Sequence, residues 1–301
     1  ASDDQRPWVL YVGLVAPHFP LVVPNEFFSL YPTPALPKVK QHPNDGYLRH
    51  PWVEKQNAMM DSEAKFNDPE ERLRAMASYY GLCTWLDHNI GMLLSALDKA
   101  GFGNNTTVIY TSDHGDNLGA RGLWGKSNLY QESVSIPMIM AGPGIPVGTC
   151  DTPVSLLDLS ATIPDHFDVA FEGDGRSLFA ISSEPTDKSR PILSQYHAAG
   201  AVSGAFMLRK DCWKLNWYVG FPPELFDLDK DPEELTDLAR DPEHAKVLSK
   251  MESELRKHVD PEAADRQAFA DQADLIAHYG GREAALKLGA PAATPPPEVK
   301  T

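Results

Sequence analysis

The sequence predicts an α/β fold, a main sheet flanked by helices with a smaller antiparallel sheet plus helix behind it. Three observations carry this. Thr107-Val-Ile-Tyr110 is a β-branched, apolar run that reads as a buried strand and opens into a polar, glycine-punctuated loop. Between Asp68 and Gly101, apolar residues recur at helical spacing. Between 191 and 228, four short strand-like segments follow one another with no helix between them, which implies an antiparallel subdomain. The expected division is 1–190 for the main α/β part, 191–289 for the small α+β part and 290–301 for a proline-rich tail.

Trp8 to Pro17 is an apolar run expected to form a core strand that ends at His18. From Pro17 to Trp52, prolines at 17, 20, 24, 32, 34, 37, 43 and 51 forbid a long helix or central strand, so an irregular surface excursion is expected, with His42 and His50 as solvent-exposed loop residues. Asp68-Pro-Glu-Glu then supplies a cap and a first-turn proline. Leu73, Met76, Tyr80, Cys83, Leu86, Ile90, Leu93 and Leu97 form one face of a long helix ended by Gly101. This helix is expected to cross over between two parallel strands, with Tyr79, Tyr80 and Trp85 in the core and Asp87-His88 solvated. Glu132 to Met140 reads as the next strand, 153–167 as a helix and 172–190 as a loop. Pro191–His197, Ala205–Arg209, Trp213–Val219 and Glu224–Leu228 are the four short strands. Asp241-Pro-Glu opens a helix with Leu248, Met251, Leu255 and Val259 on its apolar face, and Asp260-Pro-Glu opens another that Gly280-Gly281 ends. The tail from Ala290 cannot build a core.

A chain of 301 residues with 42% hydrophobic and 23% charged residues can bury a substantial core. The net charge of −15 argues against nucleic acid and anionic membrane as partners, since both require a basic footprint. The longest apolar run is too short for the roughly 20 residues of a membrane span. Three cysteines without framework spacing point to free, packed thiols and a reducing compartment, so the cytoplasm is expected, with the periplasm as the alternative.

The chemistry concentrates in residues 111–126, Thr-Ser-Asp-His-Gly-Asp-Asn-Leu-Gly-Ala-Arg-Gly-Leu-Trp-Gly-Lys. An Asp-His pair after a strand is commonly a cap or loop pair. At the carboxyl end of a parallel strand it also stands where open α/β sheets hold their sites. Asp113 offers a hard oxygen and His114 a neutral imidazole, which suit a divalent cation, and Gly115 lets the chain turn beside them. Lys126 adds a positive charge, and a metal plus a lysine is what a sulfate or phosphate oxyanion requires.

This stretch resembles the sulfatase signature of the alkaline phosphatase superfamily, in which a strand ends in Ser/Thr-Asp-His/Asn-Gly and a lysine follows in Gly-Leu-Trp-x-Lys. The likeness extends to Trp8–Pro20, whose His18 matches a histidine that contacts the sulfate ester, to Glu132–Met140, and to Leu225-Phe-Asp-Leu-Asp-Lys-Asp-Pro-Glu-Glu-Leu235. It implies an alkaline-phosphatase-like sheet, hydrolysis of a small sulfate ester, Asp113 and His114 as metal ligands, and His18 and Lys126 as the catalytic, ester-holding pair. Trp124, His197, Tyr218 and Phe221 are candidates for the pocket rim, Trp124 and His197 as substrate contacts. The histidine at 114 shifts the expected metal from Ca2+ toward Mn2+ or Zn2+, with Zn2+ the less favoured of these.

The chain departs from the family in one respect. Sulfatases carry near their amino terminus metal-binding aspartates and Cys/Ser-x-Pro-x-Arg, whose Cys or Ser becomes formylglycine. Cys83, Cys150 and Cys212 are followed by Thr-Trp-Leu-Asp, Asp-Thr-Pro-Val and Trp-Lys-Leu-Asn, and Asp3-Asp4 follow no strand. The chain therefore resembles the carboxyl-terminal two-thirds of a sulfatase, with the formylglycine expected outside it and the missing segment, or another copy of the chain, as its expected partner. A phosphonate monoester or phosphodiester hydrolase shares the Asp-His, the lysine and the formylglycine, and a non-catalytic fragment or binding module is the third reading.

Overall fold

The computed structural model describes residues 6–287. Its longest element is the helix expected between Asp68 and Gly101. Asp68 accepts the Glu71 amide at 2.8 Å, Pro69 takes the first helical position, and α3 runs Pro69–Lys99 before Gly101 adopts φ 84°. Upstream, α1 (Asn25–Phe28) and α2 (Pro51–Asn57) punctuate the proline-spaced excursion. His42 and His50, expected in solvent, instead close that excursion. His42 is buried, accepts the Asn44 amide and meets Glu63 at 3.0 Å, while His50 caps α2 and stacks on Tyr218 with ring centroids 4.4 Å apart. A histidine directly before proline (Pro43, Pro51) is held extended, and its ring nitrogen then reaches the amide two residues on.

After α3 come β1 (Val108–Thr111), α4 (Gln131–Val134) and β2 (Met138–Ala141). The expected parallel crossover is not formed among the described residues. β1 and β2 pair antiparallel, Val108 opposite Ala141 and Thr111 opposite Met138. The run Glu132–Met140, read as one strand, divides at Pro137 into a helical turn and a strand because proline lacks the ladder donor. Trp8 to Val15, read as a core strand, is unpaired among the described residues and lies on the surface, with Tyr11 90% exposed. An apolar run becomes a strand only where a neighbour accepts its hydrogen bonds. Met92, Leu93 and Leu94 at the far end of α3 are exposed too, so the apolar stripe continues past the part of the helix that is covered. Tyr79, Tyr80 and Trp85 are half-buried, and Asp87 and His88 are exposed.

Next are α5 (Leu156–Asp165) and α6 (Leu178–Ser183). Ser155 and Asp158 form a reciprocal capping box on α5. The segment 172–190 was expected to be a loop but contains α6, too short for periodicity to reveal yet capped by Ser177 and joined to α5 where the Leu178 amide meets Thr162 Oγ1 at 2.8 Å.

The four short strands form as read: β3 (Ile192–Tyr196), β4 (Ala205–Lys210), β5 (Trp213–Tyr218) and β6 (Glu224–Asp227), antiparallel in that order. Strand periodicity of two sorts their side chains. Phe206, Leu208, Leu215 and Leu225 pack on Met251 and Leu255 of α7 (Ala245–His258), the helix that the 241–259 pattern predicts. Ala205, Met207, Tyr218 and Phe226 face Trp52, Val53, Leu123, Leu129 and Tyr130. The sheet is thus covered on both faces, each fully buried leucine contributing about 1.5–3 kcal/mol, and its outer layer is the loop between β1 and α4. Helices α8 (Pro261–His278) and α9 (Arg282–Lys287) follow, α8 ending before Gly280-Gly281 as expected. The tail 290–301 lies outside the described residues. No helix among the described residues is long and apolar enough to cross a membrane.

Candidate active site

The site starts where β1 stops pairing. Thr111 Oγ1 donates to the Pro137 carbonyl at 2.8 Å, Ser112 Oγ to the His114 carbonyl at 2.9 Å, and the Gly115 amide to the Ser133 carbonyl at 2.8 Å, so the Asp-His-Gly turn is fastened to the segment entering β2. Gly115 does not adopt a left-handed conformation. It is needed because a Cβ there would collide with the backbone carbonyl of Glu132, so close approach rather than turning is its purpose.

His114 Nδ1 donates to the Gly115 carbonyl at 2.7 Å, which leaves Nε2 with its lone pair, 3.5 Å from Asp113 Oδ2. A bond from Nδ1 to a backbone carbonyl is of the kind that orients an imidazole for a metal. The Asp113 side chain is 82% exposed and its other oxygen bonds the His114 amide. These two donors fit part of a divalent-cation shell, and no group of three or more His, Cys, Asp or Glu side chains able to hold a metal occurs among the described residues.

His18 lies beside this pair, its ring centroid 5.8 Å from that of His114. Its Nδ1 donates to the Phe19 carbonyl at 2.7 Å, and Lys126 Nζ donates to its Nε2 at 2.7 Å. The structure therefore brings His18, about a hundred residues away in sequence, beside His114 and Lys126, with Asp113 at the rim. Lys126 also lies 5.5 Å over the Phe19 ring. Asp116, facing His114 and His18, is pushed above its ordinary pKa by burial, against the lowering effect of the Leu118 and Gly125 amides and of the two histidines. Cys83 packs nearby, and burial together with Asp116 pushes its thiol up to about 11, so it stays protonated at neutral pH and is not an activated nucleophile. Cys150 is exposed rather than packed, and all three cysteines are free thiols.

The rim candidates are placed differently. Trp124 donates through Nε1 to Glu63 at 2.7 Å and stacks edge-on with Phe66. His197 is grouped with Phe206, Gly204 and residues of α8, including Asp265 and Gln272, rather than with His18 or Lys126. Tyr218 is buried and donates to Glu224 at 2.8 Å.

Residues that the motif alone does not single out hold the loop in place. Arg121 is fully buried with φ 56°. Its NH1 bonds both Glu132 oxygens at 3.1 Å, its NH2 bonds the Glu233 and Glu234 carbonyls at 3.0 and 2.9 Å, and its guanidinium lies 4.0 Å over the Tyr130 ring. Burial alone would raise the Glu132 carboxyl, but Arg121 and Lys40 outweigh it and hold the pKa below the usual carboxylate range. Glu234 in turn pairs with buried Lys214 of β5. The loop carrying Lys126 is thus tied to the segment after β6.

Comparison with known proteins follows this geometry. The family model described as Sulfatase matches residues 1–169, and that described as N-sulphoglucosamine sulphohydrolase, C-terminal, matches residues 119–260. The chain is 32% identical over 246 residues to a choline-sulfatase of Rhizobium meliloti, covering 77% of this chain and 46% of that protein, and 31% identical over 262 residues to arylsulfatase K of Mus musculus, covering 76% and 46%. It spans about half the length of the curated relatives it matches. Among solved structures, a phosphonate monoester hydrolase from Silicibacter pomeroyi superposes with a TM-score of 0.71 at 28% identity, over 80% of this chain and 54% of that one. Its structural neighbours establish an alkaline-phosphatase-like α/β fold, and with the Sulfatase model spanning more than half of its residues and both halves of the Asp-His and lysine site, the chain belongs to the sulfatase family.

Proposed function

We propose that this chain provides the leaving-group side of a sulfuric ester hydrolase site, residues 1–190 being part of the catalytic domain and 191–289 a small subdomain that braces it. The observation that carries this is the Lys126–His18 contact at 2.7 Å beside the Asp113–His114 pair. A divalent metal held by Asp113 Oδ2 and His114 Nε2 would polarise an ester oxygen, and a formylglycine outside these residues would attack sulfur.

What this chain's own residues do follows from their hydrogen bonds. Hydrolysis develops negative charge on the departing oxygen, and the Lys126 ammonium is the donor that meets it. His18, with its Nδ1 proton committed to the Phe19 carbonyl, presents Nε2 as an acceptor that fixes Lys126 when no ester is bound. An incoming sulfate oxygen displaces one of the two from the other and takes the lysine's donor.

A second reading, a phosphonate monoester hydrolase, is favoured by one observation, the Silicibacter pomeroyi structure at TM-score 0.71. The deciding experiment supplies this chain with a segment bearing Cys/Ser-x-Pro-x-Arg and assays a chromogenic aryl sulfate against a phosphonate monoester. Faster sulfate turnover that requires Lys126 supports the sulfatase reading, and faster phosphonate turnover replaces it. The chain alone is expected to turn over neither. Lys126-dependent turnover without any second polypeptide would overturn the placement of the nucleophile.

A further inference from the structure

Lys126 is flanked by two residues in left-handed conformations, Gly125 at φ 67° and Ser127 at φ 89°, in a loop where Leu118 and Arg121 also have positive φ. Such a non-glycine residue is strained and persists only when its surroundings enforce it. The enforcement at Lys126 is local. The Gly125 amide donates to Asp116 Oδ1 at 3.0 Å, and the same oxygen accepts the Leu118 amide at 2.8 Å. The Gly125 carbonyl accepts from both the backbone amide and the side-chain Nδ2 of Asn117, at 2.7 and 2.6 Å. Asn117 is buried, 2% exposed. Both polar groups of Gly125 are thereby fixed, and its carbonyl belongs to the peptide unit that leads into Lys126, so the direction in which that side chain leaves the backbone is fixed as well.

We propose that Asp116 and Asn117 form a positioning clamp for Lys126, holding the Gly125–Lys126 peptide so that the ammonium meets His18 Nε2. Its functional meaning rests on the reading of Lys126 and His18 as the ester-holding pair, while the clamp itself is a statement about geometry. The clamp needs an acceptor at 116 and a donor at 117, not a charge. Asp116→Asn keeps the acceptor and is expected to preserve it. Asp116→Ala removes the acceptor, and Asn117→Asp removes the donor and sets a carboxylate against the Gly125 carbonyl.

The test is long-range 1H–15N spectroscopy of the histidine rings in the 301-residue chain, with Lys126→Ala defining the His18 signal when the lysine contact is lost. Asp116→Ala and Asn117→Asp are expected to shift His18 Nε2 toward the Lys126→Ala position and to speed exchange of the Gly125 amide about tenfold or more, while Asp116→Asn stays with the unaltered chain. A general loss of stability lowers the unfolding midpoint without moving that one nitrogen, so the readout separates positioning from folding. If Asp116→Ala fails to fold, Asn117→Asp carries the same test. A folded Asp116→Ala or Asn117→Asp chain with an unshifted His18 overturns the clamp, as does a Lys126→Ala chain with no change at His18. A parallel titration with inorganic sulfate keeps the two readings apart: an intact clamp with no sulfate response at His18 refutes the ester-holding role and leaves the clamp standing.

Discussion

Arg121→Met is the perturbation that most directly tests how the site loop is held. Methionine keeps an unbranched apolar stem but ends short of the guanidinium, removing all of its hydrogen bonds and its stacking over Tyr130. Glu132 loses the partner that bonds both its oxygens and the Glu234 carbonyl loses its donor, while the Glu233 carbonyl keeps Lys40 Nζ at 3.0 Å. Breaking a buried pair costs about 3–5 kcal/mol, and each buried carbonyl left unmet about 1–3 kcal/mol. These costs do not add, because Lys40 still reaches Glu132 and water can enter the vacated space. The expected loss is about 3–5 kcal/mol at pH 7, a large fraction of the roughly 5–15 kcal/mol stability of an ordinary domain. Glu132 has a folded pKa below its unfolded value, so its contribution is present above the unfolded value of about 4.3 and is lost as pH falls through the folded one. The gap between Arg121→Met and the unaltered chain, measured by urea unfolding, should therefore narrow below about pH 4, leaving the part due to the Glu234 carbonyl. A loss under about 1 kcal/mol at pH 7, or a gap that does not change with pH, would refute the reasoning.

Three further outcomes are expected. Asp158, fully buried, takes two bonds from Arg190 and the amides of Ser155 and Arg176, so Asp158→Ala should cost about 3–5 kcal/mol in chemical unfolding; a cost near that of an exposed pair would show that the capping box is dispensable. Gly115→Ala places a methyl against the Glu132 carbonyl and should displace the Asp-His turn, visible as a shift of the His114 ring resonances; an unshifted His114 would show that the close approach is relaxed at no cost. Elemental analysis should find weak, substoichiometric divalent metal, because Asp113 and His114 supply only part of a shell, and tight binding that survives Asp113→Ala would remove them as ligands.

The elements that were legible in the sequence are those whose information is local. The α3 cap, the four strands of the antiparallel sheet and the apolar face of α7 each satisfy their own hydrogen bonds or pack on a neighbour close in sequence, so periodicity and capping residues suffice. Trp8 to Val15 reads as a strand by composition, but strand identity depends on a partner, and none pairs with it among the described residues. The antiparallel pairing of β1 with β2 was not legible for the same reason, since nothing in either run states its neighbour's direction. His18, singled out by the resemblance, lies beside His114 and Lys126, which with Asp113 were singled out by the motif. It did not reveal Arg121, whose partners Glu233 and Glu234 lie more than 100 residues away, although an arginine inside a glycine-rich loop was the available signal. His197, a rim candidate by residue type, packs against Phe206, a neighbour set by a sheet register that one histidine cannot specify.

The central claim is that His18, His114 and Lys126 form one oxyanion site. Titration of the 301-residue chain with inorganic sulfate, followed through the ring nitrogens of His18 and His114, tests it most directly. A charge-assisted hydrogen bond of about 1.5–3 kcal/mol corresponds to a factor of about 10 to 150 in affinity. The account predicts that both rings respond with one saturation curve, and that Lys126→Ala weakens it by at least about tenfold. Sulfate that perturbs neither ring, or that binds Lys126→Ala as tightly as the unaltered chain, would contradict it.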